Sequence, residues 1–598
     1  MYSRRFYIPL LLFALLIQVS AAFSERLTQS MLASLPADSV ISSLLLLQDR
    51  PDPDYFSALV EDLPRNERSE VVWQTLCDWS DVRQARLLSR LELLEKQGKI
   101  VQFRRLRLVN GIVVDAPTAT VIELSKHPDV FRILDDSPQF VDEGEWQSSP
   151  ISNQDLVSAS DDEDELTWSI VRIGAPDMWH EGWNGDGVLV AIIDTGVNYR
   201  HTDLHDHLWD GGEEFPFHGY DFHDNDPDPM DTSGHGTAVA GIVAGDGTSG
   251  TRTGVAPGAT IMCLRVRANL NLGRVSSTWA AQDFVLEHGV DVTSMSLGWG
   301  RPAPEDRAIW RNNYDILNIA GIINIKSAGN RRGSHLPPES ISVPGRVPSP
   351  WRNPDELTVG GRSGMITVGG VDRSDVVASV SSPGPVTWQE EAPWYDYLLD
   401  ELHPGMIKPD ICAPCAEGVT TVYDDTAGYG SFQNTSMAQP HVSGTVALML
   451  SKNHNLLPAQ VDSILQTTAL DLGEVGKDND YGAGRVQADL AVGAVQWDMS
   501  VPQREYGTRG IPDDLDMEIS PNPFNGTAKL SFRLSEASTI RITLFDITGR
   551  QVMSIGPDLV GVGFHTRLLQ MDGLPSSVYF LRVNAGKLSG TSKILLLR

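Results

Sequence analysis

Short apolar runs set the rhythm of the middle of the chain. Residues 188–194 (VLVAIID), 259–266 (ATIMCLRV), 290–298 (VDVTSMSLG), 320–330 (AGIINIKSAGN) and 365–371 (MITVGGV) are each bounded by Gly, Asn or Asp and separated by helix-like segments. Apolar strands that alternate with helices are buried on both faces. The pattern predicts an α/β domain over residues 167–497, a mostly parallel sheet covered by helices on both faces. Ligands of such sheets collect at the carboxyl ends of the strands. On the N-terminal side, residues 23–140 mix charged helical segments such as 83–99 with strand-like ones such as 106–116, which predicts a small α+β unit. Residues 143–166 carry clustered Asp and Glu without apolar periodicity and read as an exposed linker, so the first unit runs from 23 to 166. Residues 498–516 are polar with two prolines and form a second linker. Beyond them, residues 517–598 alternate apolar and polar positions between turn signals, the pattern of a small β-sandwich.

Composition sharpens this outline. The formal charge is −31, from 47 Lys plus Arg against 78 Asp plus Glu, which argues against nucleic acid or an anionic membrane surface as partner. Residues 1–22 carry Arg4 and Arg5, an apolar run from Phe6 to Ile17, and the small residues Ser20, Ala21 and Ala22, the form of a cleaved signal peptide. No later stretch has the length of a membrane span, so the mature chain is expected to be soluble and exported. Four cysteines are too few for a disulfide-built scaffold. The CAPC pair, Cys412 and Cys415, has no second Cys or His pair at zinc spacing, leaving a local disulfide or two unpaired thiols.

The candidate chemistry begins at Ser436, in QNTSMAQPHVSG (433–444). A helix starting close to Ser436 tolerates Pro440 in its first turn, where backbone N–H groups have no intrahelical partner, and puts the hydroxyl at a positive helix end. A capping serine would look the same locally, so its partners decide. Asp194 closes a buried strand, where a carboxylate calls for a cationic or N–H partner. His235 lies between two glycines at the start of a small-residue helix. Asp194, His235 and Ser436 follow one another in an order known for serine-protease triads.

DTGV (194–197), HGTAVAG (235–241), SMSLG (294–298), SAGN (327–330) and TSMAQPHVSG (435–444) occur in the order of the subtilases, and the chain resembles that family over residues 167–497. The resemblance implies a subtilisin-like fold and a serine endopeptidase acting on peptides or proteins. Ser436 would be nucleophile, His235 general base and acid, Asp194 the carboxylate behind it, and Asn330 the oxyanion donor. Ser296, Leu297 and Gly298 would pair with an extended substrate, Gly298 at the wall of the primary pocket. This sequence departs from the family at Asn434, where Gly is usual, and at Asn324 and Lys326, in a strand that is usually more apolar.

No cofactor is expected for the chemistry. Asp221, Asp224, Asp226 and Asp228 resemble a calcium loop, and Asp203 matches another calcium ligand of the family; a solvated acidic turn is the alternative. Residues 107–136 resemble the end of an inhibitor propeptide, which implies that the chain's own N-terminal unit is a partner of the cleft. The tail resembles the sorting domains of the type IX secretion system, which implies export across an outer membrane to the medium or the cell surface. Rival readings are an inactive subtilase that only binds peptides, and an adhesion protein whose C-terminal sandwich carries the function. The complete Asp194, His235, Asn330 and Ser436 set speaks for the enzyme.

Overall fold

In the computed structural model of the chain, the central apolar runs lie side by side in a seven-stranded sheet. Its order is Ile411–Pro414, Met365–Val371, Ile323–Ser327, Val292–Met295, Leu189–Asp194, Thr260–Arg265 and Gly219–Asp221, and every neighbouring pair is parallel. The structure describes residues 32, 34–140, 156–158, 165–269, 271–299, 304–496, 517–520, 527–534, 538–546, 550–560, 563–571, 574–586 and 588–596. The expected leader at 1–22, most of the acidic linker and all of 498–516 lie outside the described residues. The chain divides into two compact units, Met1–Tyr506 and Gly507–Arg598.

Side chains along Leu189–Asp194 alternate between two cores. Val190 and Ile192 pack with the helices His235–Ala244 and Thr435–Lys452, while Leu189, Ala191 and Ile193 face the helix Val275–Glu287. This two-sided burial is why the strand reads as one continuous apolar run. The helix Thr435–Lys452 is buried on every side but its last residue, so it has no polar face. Its start is thereby fixed against the ends of the strands.

The N-terminal domain is an antiparallel sheet in the order Gln102–Leu106, Gly111–Pro117, Val40–Leu47, Val130–Asp135. Leu45 and Leu47 face its own helical layer with Leu87, Leu91 and Leu94. Leu44 and Leu46, on the opposite face, join the core that contains Trp279 and Phe284 of the central domain. A period of two along one strand thus serves two domains. Arg65 anchors one edge of the contact. It donates to Asp291 at 2.6 Å, to the Gly321 carbonyl at 3.1 Å and to the His454 carbonyl at 2.7 Å. Burial pushes the Asp291 carboxyl up, but the charges of His454 and Arg65 outweigh it and hold the group well below the usual range.

The C-terminal unit has a three-stranded antiparallel sheet (Met517–Ser520, Thr527–Leu534, Gly563–Gln570) and a four-stranded one (Gln551–Val560, Ser538–Phe545, Ser577–Ala585, Leu588–Leu596). Leu530, Phe532, Ile542, Leu544, Leu581 and Val583 fill one core between them, the expected sandwich. Among the described residues, no helix is long and apolar enough to cross a membrane.

Candidate active site

Asp194 is the last residue of its strand and His235 the first of its helix, and His235 Nδ1 lies 2.7 Å from Asp194 Oδ1. Both are buried. The same carboxylate oxygen accepts the Thr195 N–H at 2.8 Å, and Oδ2 is buried with no hydrogen-bond partner among the described residues. A Cβ on Gly236 would fall 2.0 Å from the Gly196 carbonyl oxygen, so only glycine lets the histidine helix approach the aspartate turn this closely. The approach is held by Asp231, which motif reading passed over. Its Oδ1 accepts the Thr195 hydroxyl (3.1 Å) and the N–H groups of Ser233 and Gly234, and Oδ2 accepts the N–H and hydroxyl of Thr237. The Thr195 hydroxyl in turn accepts the Gly236 N–H at 3.0 Å. An acidic residue a few positions before a helix-starting His is the only signal of this role in the sequence.

Asn434 caps the helix Thr435–Lys452 with φ 76°. Of the two uses of the glycine usual here, positive φ is therefore present, and Asn tolerates it better than other side chains. Ser436 is the second helical residue, as expected. Pro440 is not in the first turn: the helix begins at Thr435, so the proline removes the N–H that would have bonded the Ser436 carbonyl four residues back. The Ser296 hydroxyl meets that carbonyl instead, at 3.2 Å. The Ser436 hydroxyl donates to the Ser296 carbonyl at 3.3 Å. Gln439, also unforeseen, ties the group together. Its amide N–H groups donate to the Ile325 carbonyl and Ser443, and its Oε1 lies 2.8 Å from the Ser296 hydroxyl and 3.1 Å from that of Ser294.

Asn330 follows the strand Ile323–Ser327, and its Oδ1 accepts both the Thr435 N–H (3.0 Å) and the Thr435 hydroxyl (2.8 Å). A backbone N–H can only donate, so the amide orientation is determined and its NH₂ end is the donor. Ser296, Leu297 and Gly298 continue the strand Val292–Met295 and are buried. The Gly298 carbonyl accepts from the Arg267 guanidinium, which stacks 4.0 Å from the Trp299 ring centroid. Nearby, Leu272 and Gly273 pair antiparallel with Phe140 and Gln139 of the N-terminal domain. In the strand before Asn330, Asn324 is satisfied by Thr293 and the Ile322 carbonyl. Lys326 is fully buried, with Nζ 2.6 Å from the Ser327 carbonyl and 3.0 Å from the hydroxyls of Ser327 and Ser342.

Residues 185–484 match the Subtilase family, half of the chain. This chain is a subtilase. It is 28% identical over 419 residues to subtilisin E of Bacillus subtilis (strain 168), covering 70% of this chain and 88% of that protein. Subtilisin Savinase of Lederbergia lenta is 29% identical over 326 residues, 54% of this chain and 98% of its own length. Bacillopeptidase F of Bacillus subtilis (strain 168) is 26% identical over 524 residues, 81% of this chain, but the match spans only 34% of that longer protein. Residues 518–597 match a secretion system C-terminal sorting domain. The subtilase is thus a serine endopeptidase with a type IX sorting tail, delivered across the outer membrane to the medium or the cell surface.

The carboxylates of the expected calcium loop do not gather around a cation in this subtilase. Asp221 and Asp224 converge on the Arg265 guanidinium, and Asp221 also accepts the N–H groups of His223 and Asp224. Asp226 accepts the Asp228 N–H, and Asp228 accepts the Tyr199 hydroxyl. Asp203 is buried between the Tyr429 hydroxyl (2.6 Å) and the Ser249 N–H (2.7 Å). Asp221, Asp224, Asp226 and Asp228 do not bring their oxygens to one point, and Arg265 takes the place of a metal between the first two, so this arrangement does not fit calcium. Among the described residues, the one convergent group of this kind is Asp206, His207 and Asp246, elsewhere in the chain. The described cysteines are free thiols, and burial pushes Cys415 up to about 12 and Cys412 well above its usual value. They stay protonated and inert at neutral pH. Arg265→Ala, which strands the buried Asp221, should cost about 3 kcal/mol of stability. Thermal unfolding of the variant beside wild type checks this.

Proposed function

We propose that the subtilase is made as a self-inhibited precursor and cleaves peptide bonds through an acyl-enzyme on Ser436, with His235 as general base and acid. The observation that carries this reading is the 2.7 Å bond between His235 and Asp194 at the same sheet edge as the helix start that clamps Asn330 through Thr435. A substrate N–H that takes up the Ser296 carbonyl frees Ser436 Oγ to turn toward His235. Oγ attacks the scissile carbonyl carbon as its proton passes to Nε2. Asp194 keeps the imidazole in the tautomer with Nδ1–H and stabilises the imidazolium. The negative oxygen of the tetrahedral intermediate faces the Asn330 NH₂ group and the Ser436 N–H at the positive helix end. As the C–N bond breaks, Nε2 returns its proton to the leaving amine. Water then repeats the sequence on the acyl-enzyme and restores the Ser436 hydroxyl.

Ser296 to Gly298 and Leu272–Gly273 would hold the substrate as an added strand. The N-terminal domain already sends Gln139–Phe140 along the latter, which supports its role as inhibitor, and the acidic stretch that follows is then the first substrate. Ser436→Ala, expressed alone, should accumulate with its N-terminal domain attached. Wild type should yield a chain that begins between residues 142 and 168. N-terminal sequencing decides, and maturation of the Ser436→Ala chain at the wild-type position would refute the mechanism. Fluorophosphonate labelling of Ser436 separates the enzyme from a peptide-binding or adhesive protein. Asn330→Ala should lower kcat by about a hundredfold or more while KM changes little, because its donor acts on the transition state. Equal losses in both would point to another oxyanion donor.

The inhibitor contact also implies a pH dependence. Asp283 accepts the N–H groups of Arg107 (2.7 Å) and Leu108 (3.0 Å) across the interface. Burial there pushes its carboxyl up to about 7 despite those donors, and burial likewise pushes Asp136, bonded to the Ser276 hydroxyl at 2.6 Å, up to about 6. Release uncovers both groups and returns them toward the ordinary range near 4. Docking therefore takes up protons: its grip is full below that range and is lost as pH rises through about 6 to about 7. The inhibition constant of the N-terminal domain should weaken by roughly tenfold or more between about pH 5.5 and about pH 8, and Asp283→Asn should flatten most of the change. A titration of inhibition against pH measures this directly.

A further inference from the structure

The two segments proposed to hold the substrate are joined by one side chain. Arg267 lies opposite Gly273 in the antiparallel pairing of Arg267–Asn269 with Leu272–Gly273, and its stem runs across that glycine: a Cβ on Gly273 would fall 2.4 Å from Arg267 Cγ, 2.9 Å from Cδ and 3.0 Å from Nε. The guanidinium then donates to the Gly298 carbonyl, with its central carbon 4.0 Å from the centroid of the Trp299 ring. Trp299 is held in turn by Val343, with which it exchanges backbone hydrogen bonds at 2.9 and 3.1 Å. The whole arginine side chain is buried. A stem packed on backbone, a planar group set against an aromatic ring and a charge-assisted hydrogen bond fix it in one position.

The carbonyl that Arg267 takes belongs to the edge beside Ser436. In an extended segment the backbone groups of alternate residues point to the same edge. Trp299 directs its N–H and carbonyl to Val343, so Gly298 and Ser296 present theirs to the opposite edge, where the Ser296 carbonyl meets the Ser436 hydroxyl at 3.3 Å. An added antiparallel strand whose last residue before the scissile bond gives its N–H to the Ser296 carbonyl brings the N–H two residues earlier to Gly298. That N–H meets an acceptor already bound by a cation. A hydrogen bond from a charged donor is roughly twice as strong as one from a neutral amide, so the substrate does not displace it.

We infer that Arg267 is a specificity-determining residue of the peptidase: its guanidinium stands in for the substrate N–H at the third residue before the scissile bond, so the enzyme does not read an N–H there and accepts residues that lack one, proline among them. Within a strand, proline ordinarily forfeits a ladder hydrogen bond. At this position the arginine supplies that bond beforehand. Gly273 belongs to the same device, because any side chain there would meet the arginine stem. The inference rests on Ser436 being the nucleophile and on Ser296–Gly298 pairing with the substrate.

The test uses the full chain, expressed and allowed to mature, with quenched peptides of one sequence that carry Ala or L-lactic acid at the first residue before the scissile bond, or Ala, L-lactic acid or Pro at the third. Lactic acid replaces the N–H by an ester oxygen without adding bulk. Cleavage positions are read by mass spectrometry, and active enzyme is counted by fluorophosphonate titration of Ser436. Lactic acid at the first residue should lower kcat/KM by about tenfold, since it leaves the Ser296 carbonyl without its donor. At the third residue, lactic acid and Pro should each stay within about threefold of Ala. Arg267→Met keeps a stem over Gly273 but removes the donor, so lactic acid at the third residue should then cost about tenfold. A wild-type loss of tenfold at the third residue, with lactic acid or with Pro, overturns the inference and leaves the endopeptidase intact. So does a folded, labelled Arg267→Met that stays indifferent to the third residue. Should Arg267→Met fail to fold, the wild-type comparison decides alone. No loss at the first residue overturns the strand pairing, and failure of Ser436 to label overturns the parent reading; the inference falls with either.

Discussion

The active-site geometry depends on a single buried carboxylate outside the expected triad. Asp231 binds the start of the histidine helix through Ser233, Gly234 and Thr237 and the end of the aspartate strand through Thr195. Two elements that meet only at their ends have few apolar contacts with which to set a hydrogen bond of 2.7 Å. Directional hydrogen bonds to one acceptor do so, and in a dry environment each is costly to break. Gly236 makes the approach sterically permissible, and Asp231 makes it specific. Gln439 does the same work on the serine side, linking the helix that carries Ser436 to both flanking strands.

A second theme is the use of side-chain cations inside the fold. Arg265 gathers Asp221 and Asp224, Arg65 holds Asp291 at the interdomain contact, and Lys477 bridges Glu356 (2.6 Å) and Asp410 (3.2 Å). Such pairs gain little net stability over apolar packing, but removing one member leaves an uncompensated charge and is expensive. They therefore act more as constraints on arrangement than as sources of stability.

The N-terminal domain meets the enzyme through both kinds of force. One face of its sheet shares an apolar core with the helix Val275–Glu287, and Asp283 on that helix receives two backbone N–H groups of the incoming domain. The apolar area gives adhesion that varies little with pH, and the buried acids give a part that protons control. If the N-terminal domain is the inhibitor we propose, its grip is firm in mildly acidic surroundings and loosens in alkaline ones.

The sequence by itself determined the layers and the cast. Continuous apolar runs specified a two-sided parallel sheet because both faces must be buried, period-two alternation specified the terminal sandwich, and the motifs around Asp194, His235, Asn330 and Ser436 named the residues that share one sheet edge. Tertiary structure alone decided how charges are met, because partners far apart in the chain come together only when it folds. Arg265 reaching Asp221, Tyr429 reaching Asp203 from 226 positions away, and Asp231 reaching Thr195 leave no periodic trace. For that reason the acidic loop read as a calcium site and folds around an arginine. Pro440 read as a first-turn residue, and its true position became visible only once the helix start was set by packing at Thr435. Lys326 looked like a disturbance in an apolar strand; Ser342, folded against it from outside the strand, supplies one of the hydroxyls that meet its ammonium.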